Sequence, residues 1–291
     1  MLERIVSRNN NLIKSVAELR ESGARRREGL FCFEGVHLLE EAKRFGAELV
    51  YVFVREGSPG GYFALAAGSS ARVFEVTDAV YDRLTEEKAP QGVFAVARMP
   101  KNIRPLSESI PGGCAAVLCD IQDSGNVGTV IRTAAAFGTA VVLAGACADI
   151  FSKKTVRATM GAVFSAEIYT CPSGAEAARI LKAAGRRTLA CALRGDAYEL
   201  GGFAMRSGDS FFIGNEGKGL SAEVINGCDI AVRIPMTNLA ESLNAATAAA
   251  VMLWEARRAG IRERLSFIHG CKPASERQAG SLRKYFRVFR E

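Results

Sequence analysis

Residues 211–258 constrain this chain more than any other stretch. A short apolar run at 211–214 reads as a buried strand and ends in Gly214-Asn-Glu-Gly-Lys-Gly219. A short helical segment follows, then a second strand at 231–235, a loop at 236–240 and a long helix to Arg258. Three glycines in six residues give the first loop access to positive φ and to close backbone approach. Such a turn can aim its N–H groups at a ligand, as an anion nest does. Open α/β sheets bind ligands beyond the carboxyl ends of their strands, which is where both loops fall. The glycine order G-x-x-G-x-G is not the dinucleotide fingerprint, and no phosphate-loop motif occurs, so a Rossmann dehydrogenase is disfavoured.

The same alternation extends upstream. Residues 114–120 read as a buried strand, and Asn126 as the N-cap of a helix over 127–137 that Gly138 ends. Gly128 leaves the first turn of that helix bare, and Arg132 lies off its apolar stripe of Val130, Ile131, Ala134 and Phe137. Residues 152–164 read as one helix carrying Lys153, Lys154 and Arg157, and a helix at 175–184 precedes a strand at 188–193. Strand and helix alternate through 114–258, which predicts a mostly parallel sheet. Residues 1–98 predict a separate small α/β domain. Three prolines mark 99–113 as a linker. The pattern degrades over 259–291, a basic extension holding Tyr285 and Phe286. A docked helix or an unstructured tail is favoured there over an arm stacking its aromatics on bases.

No run of about 18 apolar residues is present to span a membrane, and the N-terminus lacks the apolar core of a signal peptide. Eight scattered cysteines without a CxxC, and two histidines, His37 and His269, argue against a metal site or a disulfide framework. Reduced thiols point to the cytoplasm. With histidines only at 37 and 269, no Ser-His-Asp set is expected. Charge is uneven. Residues 1–30 carry seven Lys/Arg against four Asp/Glu, and residues 260–291 eight against three, while the whole chain is only +7. The middle is therefore near neutral and the basicity sits at the ends, a footprint for nucleic acid or simply for solvated termini.

Gly214-Asn-Glu-Gly-Lys-Gly-Leu220, Ile234-Pro-Met236 with Ser242-Leu-Asn244, and Asn126-Val-Gly-Thr-Val-Ile-Arg132 stand in an order that resembles the three motifs of the SpoU/TrmH family of SPOUT RNA methyltransferases. The resemblance covers 114–258. It implies an α/β domain with a deep C-terminal trefoil knot, S-adenosylmethionine as methyl donor, a homodimer through the knotted domain, and transfer to a ribose 2′-hydroxyl of structured RNA, ribosomal RNA ahead of transfer RNA. It places the donor against Gly214, Asn215, Gly219, Ile234, Met236 and Leu243. It puts Asn126, Arg132, Glu216, Ser242 and Asn244 in the catalytic site, with Arg132 gripping the phosphate next to the target ribose. Without it, Glu216 is an exposed turn acid, Ser242 and Asn244 are helix caps, and Arg132 is a solvated arginine. The family often has glycine where this chain has Asn238. Arg25-Arg26-Arg27, Phe33-Glu-Gly35 and Gln91-Gly92 resemble the family's N-terminal RNA-binding domain, similar to a small ribosomal protein, with the three arginines as phosphate contacts. The rival reading is an RNA-binding protein that keeps the fold and does not methylate.

Overall fold

A computed structural model describes residues 3–106, 113–237, 239 and 242–269, with side chains through Ile261. The tail at 270–291 with Tyr285 and Phe286, Asn238, and residues 107–112 of the proline-rich stretch lie outside the described residues. In chain order the N-terminal part is β1 (Glu3–Ile5), α1 (Asn11–Glu18), α2 (Ser22–Glu28), β2 (Leu30–Glu34), α3 (Val36–Arg44), β3 (Leu49–Arg55), α4 (Gly61–Ala67), β4 (Arg72–Val76), α5 (Asp78–Leu84) and β5 (Val93–Arg98). Its five strands form one sheet, ordered β1-β4-β3-β5-β2, with β5 antiparallel to both β3 and β2.

The second part is β6 (Ile103–Pro105), β7 (Ala115–Cys119), α6 (Ser124–Phe137), β8 (Ala140–Ala144), α7 (Lys153–Thr159), β9 (Ile168–Cys171), α8 (Gly174–Ala183), β10 (Thr188–Cys191), β11 (Tyr198–Glu199), β12 (Ser210–Ile213), α9 (Ala222–Gly227), β13 (Ile230–Arg233) and α10 (Ala245–His269). Eight strands make a wholly parallel sheet ordered β11-β13-β10-β12-β7-β8-β9-β6. Its central strands are buried along their length, as the continuous apolar runs Ala-Ala-Val-Leu-Cys and Ala-Val-Val-Leu-Ala require of a sheet covered on both faces. Helices α6 and α10 cover one face, and α8 and α9 the other. The chain runs outward from β7 through β8 to β9, then crosses to β10, and β12 later inserts between β10 and β7. That reversal leaves a crevice at the carboxyl ends of β10, β12 and β13.

Three expectations change. Residues 103–105 do not belong to a linker: β6 is the sheet's edge strand, where Pro105 sacrifices no ladder hydrogen bond on its outer side. The helix expected over 152–164 breaks at Met160 (φ 49°) and Gly161 (φ 92°). A side chain at Gly161 would lie 2.6 Å from Cβ of Glu41 in α3, so α3 enforces the break. The long helix passes Arg258 and continues to His269, and a Cβ at Gly260 would lie 3.6 Å from Cβ of Ser207.

The two parts share one apolar core. Phe31 and Phe33 of β2 meet Phe151 and Phe164, with ring centroids 4.9 and 5.4 Å apart across the junction. The α7 cations are partly spent here. Lys153 Nζ donates to the Leu84 carbonyl at 2.9 Å and pairs with Glu86, and Arg157 pairs with Glu87. Arg25 is 5% exposed. It donates to the Leu19 carbonyl at 2.7 Å and to Asp149 of the second part. A guanidinium so enclosed is a structural clamp, which removes Arg25 from the expected phosphate-binding triplet. Arg26 and Arg27 are exposed, Arg27 beside Glu28. Glu34, in one of the short N-terminal matches, accepts from Tyr81 Oη and Thr85 Oγ1 at 3.1 and 2.5 Å and from the Gln91 N–H at 3.0 Å. Phe33-Glu-Gly35 and Gln91-Gly92 are thus halves of one structural knot.

Candidate active site

The loops after β10, β12 and β13 close with the start of α10 around a cavity of about 570 Å³. All six residues expected to hold a donor, Gly214, Asn215, Gly219, Ile234, Met236 and Leu243, line it, together with Glu216, Ser242 and Asn244. So do residues 191–194, which sequence reasoning missed. The strand before them is legible, but nothing in Ala192-Leu-Arg194 marks its carboxyl end as a wall of the same crevice.

The loop after β12 depends on its glycines in two different ways. A Cβ at Gly214 would lie 2.2 Å from the Gly219 carbonyl carbon and 2.3 Å from the Leu220 nitrogen, so any side chain forces the loop open. Asn215 and Gly219 close it by exchanging N–H···O bonds of 3.1 and 2.8 Å. Gly219 has φ 67°, and its missing Cβ faces no atom within 4 Å, which leaves that side of the loop bare. The anion nest is not realised. Asn215 Oδ1 accepts from the N–H groups of Gly217 and Lys218 at 3.0 and 3.1 Å, so the loop's amides are spent on its own asparagine.

Asn126, Glu216 and Asn244 come together from three distant points of the chain. Asn126 Nδ2 donates to Glu216 Oε1 at 2.9 Å, and Asn244 Nδ2 donates to Asn126 Oδ1 at 3.0 Å. Glu216 also accepts from the N–H groups of Asp123 and Gln122 at 3.3 and 3.4 Å. Burial works to raise the Glu216 carboxyl, but the Asn126 amide and the N–H groups of Glu216, Asp123 and Gln122 outweigh it and hold it below the usual glutamate range. An acid held ionised in this way is a weak base and a good anchor. Asn126 is 9% exposed and is not the N-cap. Asp123 is, accepting from the Asn126 N–H at 2.8 Å, and α6 starts three residues earlier than expected. Asn244 serves twice, since its Oδ1 also accepts from the Ala246 and Thr247 N–H groups as the cap of α10.

Two further expectations fall differently. Gly128 does not bare the helix to a ligand. A Cβ there would lie 2.5 Å from Ala158 Cβ and 2.7 Å from the Thr155 carbonyl, so Gly128 is where α7 packs onto α6. Arg132 is exposed, on the helix ridge it shares with Thr129 and Ala136. It does not line the cavity, and among the described residues it has no ion pair or hydrogen bond. Ser242 is exposed at the cavity wall. Among the described residues the cavity offers no activated nucleophile, because burial pushes the one thiol in its wall, Cys191, far up. No helix among the described residues is long and apolar enough to cross a membrane.

Residues 113–254 match the SpoU rRNA Methylase family, and residues 10–95 match the MRM3-like substrate binding domain. The chain is similar to the 23S rRNA (guanosine(2553)-2′-O)-methyltransferase RlmP of Bacillus subtilis, 30% identical over 88% of this chain and 100% of that one. It is similar to the 23S rRNA (uridine(2479)-2′-O)-methyltransferase of Streptomyces viridochromogenes, 33% identical over 90% and 93% of the two chains. The AdoMet-bound crystal structure of an rRNA methyltransferase from Sinorhizobium meliloti superposes with a TM-score of 0.74 at 30% identity, covering 88% of this chain and 98% of the other.

Proposed function

The chain belongs to the SpoU rRNA methylase family, and from that premise we propose that it transfers a methyl group from S-adenosylmethionine to a ribose 2′-hydroxyl of structured RNA, ribosomal RNA ahead of transfer RNA. It has the α/β SPOUT fold, with the trefoil knot at the C-terminal end where the three cavity loops meet. The observation that carries the reading is the junction itself: a cavity of cofactor size whose rim is held by Glu216, Asn126 and Asn244.

The cavity fits the donor. Its wall is mixed apolar side chain and loop backbone, including Ile234, Met236, Leu243 and the bare Gly219. Bound there, S-adenosylmethionine supplies a methyl already activated on a sulfonium, so the protein's task is alignment. Gly214, Asn215, Gly219, Ile234, Met236 and Leu243 hold it. Glu216 locks the donor loop to the start of α6, and Asn126 passes that placement to Asn244. Ser242 and Asn244 face the incoming ribose. Arg132, protonated at neutral pH, grips the neighbouring phosphate and orients the hydroxyl without serving as a base. A non-catalytic RNA-binding protein has no need of this junction. Valine at Gly219 adds a strained side chain on the bare face of the loop. Calorimetry should find donor binding weakened at least tenfold in a folded Gly219→Val protein; undiminished binding places the donor elsewhere.

RNA capture falls to the N-terminal domain, where Arg26 and Arg27 are the members of the arginine triplet that stay exposed. Each phosphate contact contributes about 0.7–0.9 to the slope of log affinity against log salt. Arg26→Ala with Arg27→Ala should flatten that slope by up to about two contacts and leave donor affinity unchanged. An unchanged slope moves the RNA surface off this helix.

The protein works in the cytoplasm as a homodimer formed through the knotted domain. The outer side of α10, with Trp254 45% exposed beside Phe137, supports that reading. Light scattering should give twice the 31.1 kDa chain mass at micromolar concentration; an active monomer rejects it.

A further inference from the structure

Among the described residues only two besides glycine have left-handed backbone, Asp120 (φ 56°) and Met160 (φ 49°). Met160 closes α7, where such a conformation is common. Asp120 closes no helix. It follows β7 at the crevice end and holds two loops at once. Its Oδ1 accepts from the Ala146 N–H at 2.7 Å, in the loop after β8. Gly145 makes room for this carboxylate, since a Cβ there would lie 2.3 Å from Oδ1. On the other side, the Asp120 carbonyl accepts from Asn215 Nδ2 at 2.8 Å. Asn215 is the residue whose Oδ1 gathers the Gly217 and Lys218 amides and whose backbone closes on Gly219.

We propose that Asp120 is a positioning residue for methyl transfer: its side chain pins the left-handed turn to the loop after β8, so that its carbonyl fixes Asn215 and the donor loop against α6. Asn215 reads the Asp120 carbonyl and Glu216 reads the amides of Gln122 and Asp123, so two consecutive residues of the donor loop are tied to one turn. Strain at a strand end is retained where the surroundings determine it, and here one of the two surroundings is the donor loop itself. The inference rests on the proposed reaction.

Three variants separate the parts. Asp120→Asn keeps an acceptor oxygen and tolerates left-handed backbone. Asp120→Gly takes that backbone freely but loses the pin. Asp120→Ala loses both. Donor affinity by calorimetry, single-turnover transfer at saturating donor and RNA, RNA affinity and melting temperature are read on each. Asp120→Asn should stay within about threefold of wild type throughout. Asp120→Gly should lose about tenfold or more in the saturated rate and weaken donor binding, with RNA affinity unchanged, because small misplacements of a reacting pair are costly in rate. Asp120→Ala should be worse still; if it does not fold, the Asn and Gly pair decides. A Gly variant with the wild-type saturated rate, even one that melts lower, overturns the proposal, since a merely structural role moves the melting temperature alone. A wild-type protein that neither binds donor nor methylates RNA overturns the proposed reaction and this inference with it.

Discussion

Replacing Asn126 with alanine is expected to lower single-turnover methyl transfer about a hundredfold while changing donor affinity only a few-fold. Among the described residues, Asn126 is the one side chain that hydrogen-bonds both Glu216 on the donor loop and Asn244 at the head of α10. Its amide donates to one and its carbonyl accepts from the other, so alanine severs both links. The loops then keep their own internal closures, such as Asn215 on Gly217 and Lys218, and the donor still has its cavity. What is lost is their mutual placement, the quantity that alignment-limited rates depend on most steeply. The two lost half-buried hydrogen bonds should also cost about 1–3 kcal/mol of stability. Asn126→Asp separates shape from charge. It is the same size but sets a second carboxylate about 3 Å from Glu216, and two such groups cannot both ionise freely. Its rate should be at least as low as that of the alanine variant at neutral pH and should recover in part as pH falls, when one shared proton restores a donor between them. If Asn126→Ala transfers methyl at the wild-type rate, the junction is a folding device and the site assignment fails.

Arg132→Lys is expected to be damaged nearly as badly as Arg132→Ala, each by about a hundredfold in rate, with donor binding intact. The arginine stands exposed and unengaged among the described residues, on the ridge of the helix whose first turn holds Asn126. On the proposal it takes two phosphate oxygens in its planar fork, which orients the attached ribose. Lysine keeps the charge and loses the fork. Rapid-quench transfer beside donor calorimetry on the same preparations measures both. A lysine variant at wild-type rate leaves only a charge requirement, and an alanine variant at wild-type rate makes Arg132 a solvated residue.

How far the sequence reaches depends on what kind of fact is asked of it. The parallel sheet and the cavity loops were legible because buried strands and glycine-rich strand ends leave a local trace. The loops after β12 and β13 fall on the cavity for that reason, while the individual donor residues within them are what the motif resemblance implies. The motif order legible in the same residues named the partners of a contact, Asn126, Glu216 and Asn244, but no local pattern shows that they touch across about a hundred residues. Where a residue's role is decided by a distant neighbour, local reading misleads. Gly128 looked bare because Ala158 is invisible from it, and Arg25 looked like a phosphate contact because Asp149 lies 124 positions away. Asp123 was passed over as a cap because Asn126 is an equally good capping residue; the choice is made by Glu216, which draws the Asn126 side chain inward. Edge strands are hardest of all: Ile103–Pro105 is three residues long, contains a proline, and is recruited by β9 alone.

The central claim is methyl transfer to a ribose hydroxyl, and the chemistry of the product tests it directly. Ribosomal RNA lacking the modification is incubated with the protein and donor carrying a labelled methyl group, then hydrolysed fully in alkali. A 2′-O-methyl group blocks the hydroxyl that cleaves the adjacent phosphodiester, so the account predicts the label in alkali-resistant dinucleotides, dependent on Asn126. Label found in mononucleotides, which marks a methylated base, or RNA left unlabelled by a protein that binds the donor, would contradict it.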